Sequence, residues 1–211
     1  MSANRKAYIV GLTGGIASGK SEAARHLSAL GACCVDADAI SHALTAPGGA
    51  LLGVIRETFG DEVFLPDGTL NRRALGEVVF NDPAKRLILD SITHPAIQKA
   101  IMDDIERAVA EGENLVFINV PLLFETGMDA LCDETWLISL DRATQAERLM
   151  ARDGMTREQA EARIDSQMPL EEKERRATVV IDNRRSVEKL NSEVGSLYQA
   201  LKKRIERMEN E

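Results

Sequence analysis

A three-layer α/β fold around a parallel five-stranded sheet is the architecture this sequence predicts, and three observations predict it. Apolar runs recur at residues 8–12, 33–36, 115–120, 135–140 and 178–181 with helical patterns between them, the alternation that builds a parallel sheet. The runs are apolar on consecutive rather than alternate residues, as strands covered by helices on both faces require. The third observation is an interruption. Residues 39–111 hold one weak strand candidate, 62–65, and otherwise read as helices, so this stretch is expected to be a lobe inserted into the repeat.

The first strand runs into Gly14, Gly15, Ile16, Ala17, Ser18, Gly19, Lys20 and Ser21, a complete Gly-x-x-x-x-Gly-Lys-Ser phosphate-binding loop. In this pattern backbone N–H groups converge on phosphates, the lysine sets a point charge near the β and γ oxygens, and the serine hydroxyl meets Mg²⁺. Glu22 opens a helical pattern over 22–27, whose positive N-terminal end would face those phosphates. A glycine-rich turn that binds nothing is the alternative, and the strand before and helix after argue against it. A nucleoside triphosphate with Mg²⁺ is the expected ligand, which makes the predicted architecture a three-layer P-loop NTPase fold.

The second strand ends in Asp36-Ala37-Asp38. Phosphoryl transfer to an alcohol needs a carboxylate near a strand end to orient or deprotonate the hydroxyl, because positioning and charge neutralisation do the rest. Residues two apart on a strand point the same way, so both carboxylates are expected to face one site. Standing alone, such a pair caps a helix or makes a turn; beside a phosphate loop the catalytic reading is preferred. Asn119 ends the third strand where a metal-supporting carboxylate is usual. Asp36 or Asp38 is therefore expected to hold the waters of Mg²⁺.

In the inserted stretch, 73–80, 83–92 and 96–109 read as separate helices, the last with Ile97, Ile101, Ile105 and Ala108 on one face. A lobe placed there would close over the carboxyl edge of the sheet, where α/β folds bind ligands. His94-Pro95 is a hinge, a substrate contact or a satisfied structural group. The turn Pro121, Leu122, Leu123, Phe124, Glu125 lines a groove or packs as loop. Residues 143–176 carry Arg148, Arg152, Arg157, Arg163, Arg175 and Arg176. Such a run is either a solvated helix face with ion pairs or a lid that brings arginines onto a polyphosphate, and the phosphate loop in the same chain favours the lid. At the C-terminus, Val187, Leu190, Val194, Leu197, Leu201, Ile205 and Met208 share one helical face, which is expected to close the sheet rather than form a short coiled coil. The expected organisation is one P-loop kinase domain: a core of 1–38, 112–142 and 177–211, a helical lobe of 39–111 and a lid of 143–176.

The 211 residues, 44% hydrophobic and 28% charged, suffice for one substantial globular domain. A net charge of −8 repels phosphate backbones at long range, so no nucleic-acid partner is expected and any phosphate site must be made locally. Three cysteines, Cys33, Cys34 and Cys132, form no Cys-x-x-Cys pair; a reducing cytoplasm is the expected compartment. Nothing at the N-terminus reads as a signal peptide, and no run approaches the ~18 apolar residues of a membrane span. The Asp-x-x-Gly and Asn-Lys-x-Asp patterns of guanine-nucleotide switches do not occur.

These motifs together resemble the dephospho-coenzyme A kinase family over nearly the whole chain. The markers are Gly11-Leu12-Thr13-Gly14-Gly15-Ile16 with Ser18-Gly19-Lys20-Ser21, Val35-Asp36-Ala37-Asp38, Phe59-Gly60, and Asp67-Gly68-Thr69-Leu70-Asn71-Arg72. They continue through Val79-Phe80, Thr93-His94-Pro95-Ala96-Ile97, Val120-Pro121-Leu122-Leu123-Phe124-Glu125, Gln145, Arg148, Arg152, Ala162-Arg163-Ile164, Gln167 and Val180-Ile181-Asp182-Asn183. The resemblance implies transfer of the γ-phosphoryl group of ATP to the ribose 3′-hydroxyl of dephospho-coenzyme A. It makes Asp38 the general base and Lys20 the phosphate clamp, with Ser21 on Mg²⁺. It puts Arg148 and Arg152 on nucleotide phosphates or adenine, Asn183 near adenine, and Arg72, His94, Arg163 and the 121–125 turn on the acceptor side.

Three positions depart from the family pattern: Ala17 for a usual glycine, Asn119 for a frequent aspartate and Thr178 for a common aspartate, the last with no consequence assigned. A monomer with at most weak self-association and no membrane partner is expected. Two other readings stay open at this stage, another P-loop nucleoside or small-molecule kinase and an ATP-binding switch without transfer.

Overall fold

Each apolar run forms a strand in the computed structural model of the chain, which describes residues 7–208 and 210. The stretch ahead of residue 7, where no signal peptide is expected, lies outside the described residues. The strands are β1 (Tyr8–Gly14), β2 (Cys33–Asp36), β3 (Leu115–Asn119), β4 (Glu134–Ser139) and β5 (Val179–Asp182). They form one sheet in the order β2-β3-β1-β4-β5. β1 lies at its centre, parallel to β3 with Val10 opposite Phe117 and to β4 with Leu12 opposite Trp136. Every residue of β3 and β4 is buried, which explains why their sequences are apolar without alternation.

The helices are α1 (Lys20–Ala29), α2 (Ala37–Leu44), α3 (Leu52–Phe59), α4 (Arg72–Asn81), α5 (Pro83–Ala110), α6 (Arg142–Asp153), α7 (Arg157–Asp165), α8 (Leu170–Arg176) and α9 (Val187–Met208). α9 closes the sheet as expected. Its Leu190, Val194, Tyr198, Leu201 and Ile205 pack with Ala23 and Leu27 of α1 on Val10, Leu12, Phe117 and Trp136. The Phe117 ring stands edge-on to Trp136 at 5.3 Å and to Tyr198 at 5.9 Å, the geometry aromatic quadrupoles prefer. Tyr198 joins the stripe read from the sequence, whereas Val187 and Met208 at its two ends are exposed. At the start of β4 the buried carboxylate of Glu134 accepts from Trp136 Nε1 at 2.7 Å, from the Tyr8 hydroxyl and from Arg204 of α9, so its burial is compensated.

The chain divides into two compact units, one holding residues up to Val35 and from Ile105 onward, the other Asp36–Asp104. The second unit has its own core of Leu51, Ile55, Phe59, Val63 and Leu75. Two expectations within it are corrected. The weak strand at 62–65 is a single 3₁₀ turn, Asp61–Val63, followed by one isolated antiparallel bridge between Phe64 and Leu70. Asp67 accepts from the Thr69 N–H at 2.9 Å and its hydroxyl at 2.6 Å, and a turn this tight leaves no length for pairing. The helices at 83–92 and 96–109 are one helix, because α5 runs through Pro95. Proline removes one intrahelical donor there and crowds the carbonyl four residues back, yet the helix continues on both sides of it.

Candidate active site

β1 delivers the chain into the phosphate loop and α1 takes it away. Gly19, the N-cap of α1, has φ 95° and no side chain to cap the helix. No side chain occupies the place at the start of α1 where an anion binds a helix N-terminus. A Cβ at Gly19 would also fall 2.2 Å from Asn183 Nδ2, so both backbone and space demand glycine. Ala17 takes the left-handed conformation as well, with φ 59°. Its methyl group is therefore tolerated by strain rather than avoided by a different loop.

Several side chains fix this loop from behind. Asn183, buried just past β5, donates from Nδ2 to the Ser18 carbonyl at 2.7 Å. Gln145 of α6 lies so close to Gly15 that a Cβ there would meet its amide nitrogen at 2.2 Å. Gln167 accepts from the Ile16 N–H at 2.9 Å. Arg148 of α6 reaches over the loop and donates to the carbonyls of Ala17 at 3.4 Å and Asn183 at 3.5 Å. Lys20 is 9% exposed and donates to Asn119 Oδ1 at 2.6 Å, so the end of β3 orients the loop lysine through a neutral amide.

Asp36 and Asp38 do not lie on one strand. β2 ends at Asp36, and Asp36 Oδ1 caps α2 by accepting from the N–H groups of Asp38 at 2.8 Å and Ala39 at 3.0 Å. Asp38 is exposed in the first turn of that helix. The expectation that strand geometry aligns the two carboxylates is corrected, since an Asx cap turns the chain between them. Glu22 is held by Arg25 on its own helix and by Asn191 of α9 at 3.1 Å, while Ser21 is exposed beside it.

In the turn after β3, Pro121 accepts from the Thr13 hydroxyl at 3.1 Å. Leu123 is fully buried and packs on Gly11, where a Cβ would fall 2.6 Å from its Cδ2. For Leu123 the packing alternative therefore holds; Leu122 stays partly exposed. Glu125 points at the α7–α8 connection: its Oε1 accepts from the Met168 N–H at 3.0 Å and lies 2.7 Å from Lys173 Nζ. In the other unit, Arg72 donates to Thr45 Oγ1 at 2.6 Å and the His42 carbonyl at 3.3 Å, closing the end of α2. His94 sits 3.5 Å from Asp90 one turn back on α5.

Of the arginines expected to act together, the structure brings only Arg148 to the loop. Arg152 pairs with Asp153 at 2.7 and 2.8 Å, and Arg163 approaches the same carboxylate at 3.7 Å. Arg152 beside it holds the Asp153 carboxyl below its ordinary range. Burial, aided by the carboxylates of Asp129 and Asp133, pushes the Cys132 thiol up to about 12, which removes it as a nucleophile at neutral pH.

Gln167 and Lys173 belong to the surroundings of the loop, although neither residue type in its local sequence points to a role. Gln167 stands among the motif positions, but its type suggests no chemistry until the Ile16 contact is seen. Lys173 lies in a Glu-Glu-Lys-Glu-Arg-Arg run that reads as a solvated face, yet it is 1% exposed.

A Gly-x-x-x-x-Gly-Lys-Ser loop between the central strand and the start of α1, with an arginine laid over it, defines a P-loop phosphotransferase. The dephospho-CoA kinase sequence profile matches residues 8–189, and the chain belongs to that family. The dephospho-CoA kinase of Symbiobacterium thermophilum is 46% identical over 192 residues, covering 91% of this chain and 80% of that protein. The crystal structure of TT1252 from Thermus thermophilus matches with a TM-score of 0.79 at 35% identity, over 92% of this chain and 98% of that one. Dephospho-CoA kinase from Campylobacter jejuni matches with a TM-score of 0.69 at 29% identity, over 92% and 97% of the two chains. No helix among the described residues is long and apolar enough to cross a membrane.

Proposed function

We propose that the chain transfers the γ-phosphoryl group of ATP to the ribose 3′-hydroxyl of dephospho-CoA, with Asp38 accepting the hydroxyl proton. The new bond joins the 3′-oxygen to the γ-phosphorus, the β–γ bridge bond breaks, and ADP leaves with the bonding electrons. Carrying this reading is the start of α1, where an uncapped helix N-terminus and the buried Lys20 stand together in a chain of the dephospho-CoA kinase family. Lys20 and the loop N–H groups neutralise the charge that spreads over the phosphoryl oxygens in a loose transition state. Arg148, already on the loop, adds a further positive charge, and Arg152 joins it after leaving Asp153.

Mg²⁺ fits the residues present. It takes oxygen ligands and keeps waters and substrate phosphates rather than an all-protein cage; among the described residues no group of three or more His, Cys, Asp or Glu side chains forms such a cage. Ser21 and Asp36 would hold it, and it would supply charge neutralisation to the phosphoryl group being transferred. On the same reading residues 39–111 form the acceptor lobe, with Arg72 and His94, and residues 143–176 form the lid, with Arg163. Asn183 borders the adenine while tying the loop. The protein works in the cytoplasm as a monomer without a nucleic-acid partner.

Asp38→Asn is the experiment. A general base contributes on the order of 10²–10⁴ in rate, so kcat should fall by that range while ATP affinity stays unchanged. Loss of ATP affinity in proportion to kcat would assign Asp38 to the metal instead.

A further inference from the structure

Gln167 has no part in the transfer proposed above, yet it touches the phosphate loop. Its Oε1 accepts from the Ile16 N–H at 2.9 Å. The N–H groups at the start of α1 take the α- and β-phosphates. Ile16 lies on the far arm of the loop from α1, next to Gly15, and on the proposed reading a polyphosphate whose α- and β-phosphates sit at α1 brings its γ end to this arm. A γ-phosphate oxygen and the Gln167 carbonyl are both acceptors, and a single N–H serves one of them well at a time.

The chain around Gln167 is fastened. Met168 donates its N–H to Glu125 at 3.0 Å, and Lys173 Nζ lies 2.7 Å from the same carboxylate oxygen. The anchor is therefore one residue from Gln167, so only its side chain is left to move. A cavity of about 430 Å³, lined among others by Gly15, Gln145, Gln167 and Lys173, adjoins it and gives a displaced amide room and polar neighbours.

We propose that Gln167 is a positioning residue that holds the Ile16 N–H until nucleotide binds and yields it to the γ-phosphate, so that it sets the preference of the loop for triphosphate over diphosphate. The contact keeps the loop arm formed before nucleotide binds. It is given up only when a stronger, charged acceptor replaces it. Gln167 touches the loop backbone and no reacting atom.

This inference rests on the nucleotide reading of the loop, and calorimetry with ADP and with the β,γ-imido analogue of ATP tests the two separately. In Gln167→Ala the competitor is gone, and the ratio of ADP to analogue dissociation constants should rise about two- to tenfold, the range of one neutral hydrogen bond. In Gln167→Glu a carboxylate holds the N–H more tightly and repels the γ-phosphate, and the ratio should fall by about tenfold or more. ADP affinity should move less than twofold in both, which also reports that each variant is folded. If the two variants fail to move the ratio in opposite directions, Gln167 has no part in reading the γ-phosphate. Wild-type protein that binds neither nucleotide refutes the loop reading and this inference together, whereas ADP binding without opposite movement refutes only the inference.

Discussion

Ala17 carries a backbone angle, φ 59°, that L-residues avoid because Cβ crowds the following carbonyl, at about 1–2 kcal/mol. Ala17→Gly should therefore raise unfolding stability by about 1 kcal/mol, net of the extra chain entropy that glycine loses on folding. Urea denaturation at an unchanged slope checks it; an unchanged or lower midpoint would mean that the loop has no strain at this position. The departure at Ala17 is visible in the sequence, but its cost appears only with the dihedral. Thr178 is the opposite case. Its hydroxyl accepts from the Thr135 N–H at 3.0 Å while the Thr135 hydroxyl accepts from the Thr178 N–H at 3.0 Å. That reciprocal pair joins the start of β4 to the chain entering β5, and a contact across 43 residues leaves no local pattern to read. Arg148 and Arg152 are equivalent in sequence, one helical turn apart. Only the neighbour separates them, since Asp153 takes the guanidinium of Arg152.

Helix α6, which follows β4, is set by a cap that local sequence announces. Asp141 caps α6 by accepting from the Thr144 N–H at 3.0 Å and its hydroxyl at 2.8 Å, and those two bonds, the N–H first, hold its carboxyl below the ordinary 3.8. A depressed carboxyl stabilises the fold above its unfolded value, and that contribution is lost as pH falls through the lower folded value. Asp141→Ala should thus cost about 1 kcal/mol at pH 7, and the gap in melting temperature to wild type should shrink below pH 3.8. A gap that stays constant or widens in acid would contradict the assignment. Between α8 and the turn after β3, Lys173 and Glu125 form a pair whose lysine is buried. Removing one partner of a buried pair leaves the other charge uncompensated, at about 3–5 kcal/mol. Lys173→Met should destabilise toward the lower end of that range, because Glu125 keeps 20% of its side-chain exposure. A loss under about 1 kcal/mol by urea denaturation would show that the pair is not holding the segment. The strands were legible as consecutive apolar runs and α9 as an amphipathic stripe. The continuity of α5 through Pro95 was not, because a local helix breaker is outweighed by the packing of the helix on either side of it, including Ile92 and Ala96 in the second core and the buried Ile101 and Ile105.

At the scale of the whole molecule, the net charge of −8 is set against a loop built from backbone N–H groups, Lys20 and Arg148. Affinity for a polyphosphate here is local, because exposed charges are screened beyond about 10 Å at 0.1 M salt. The fold class and the phosphate loop were both readable because they depend on short-range patterns, a strand, a turn and a helix in succession. How Asn183, Gln145 and Gln167 converge behind the loop was not readable, since they come from three separate stretches that meet only when the sheet has formed. The proposed function stands on the identity of the phosphoryl acceptor. The direct measurement is ADP release from ATP and Mg²⁺ by the purified protein, with dephospho-CoA, adenosine or no acceptor, followed by analysis of the product. Release should depend on dephospho-CoA and yield one equivalent of 3′-phosphorylated product, CoA, per ADP. Equal release without acceptor, or efficient phosphorylation of adenosine while dephospho-CoA stays unchanged, would contradict the account.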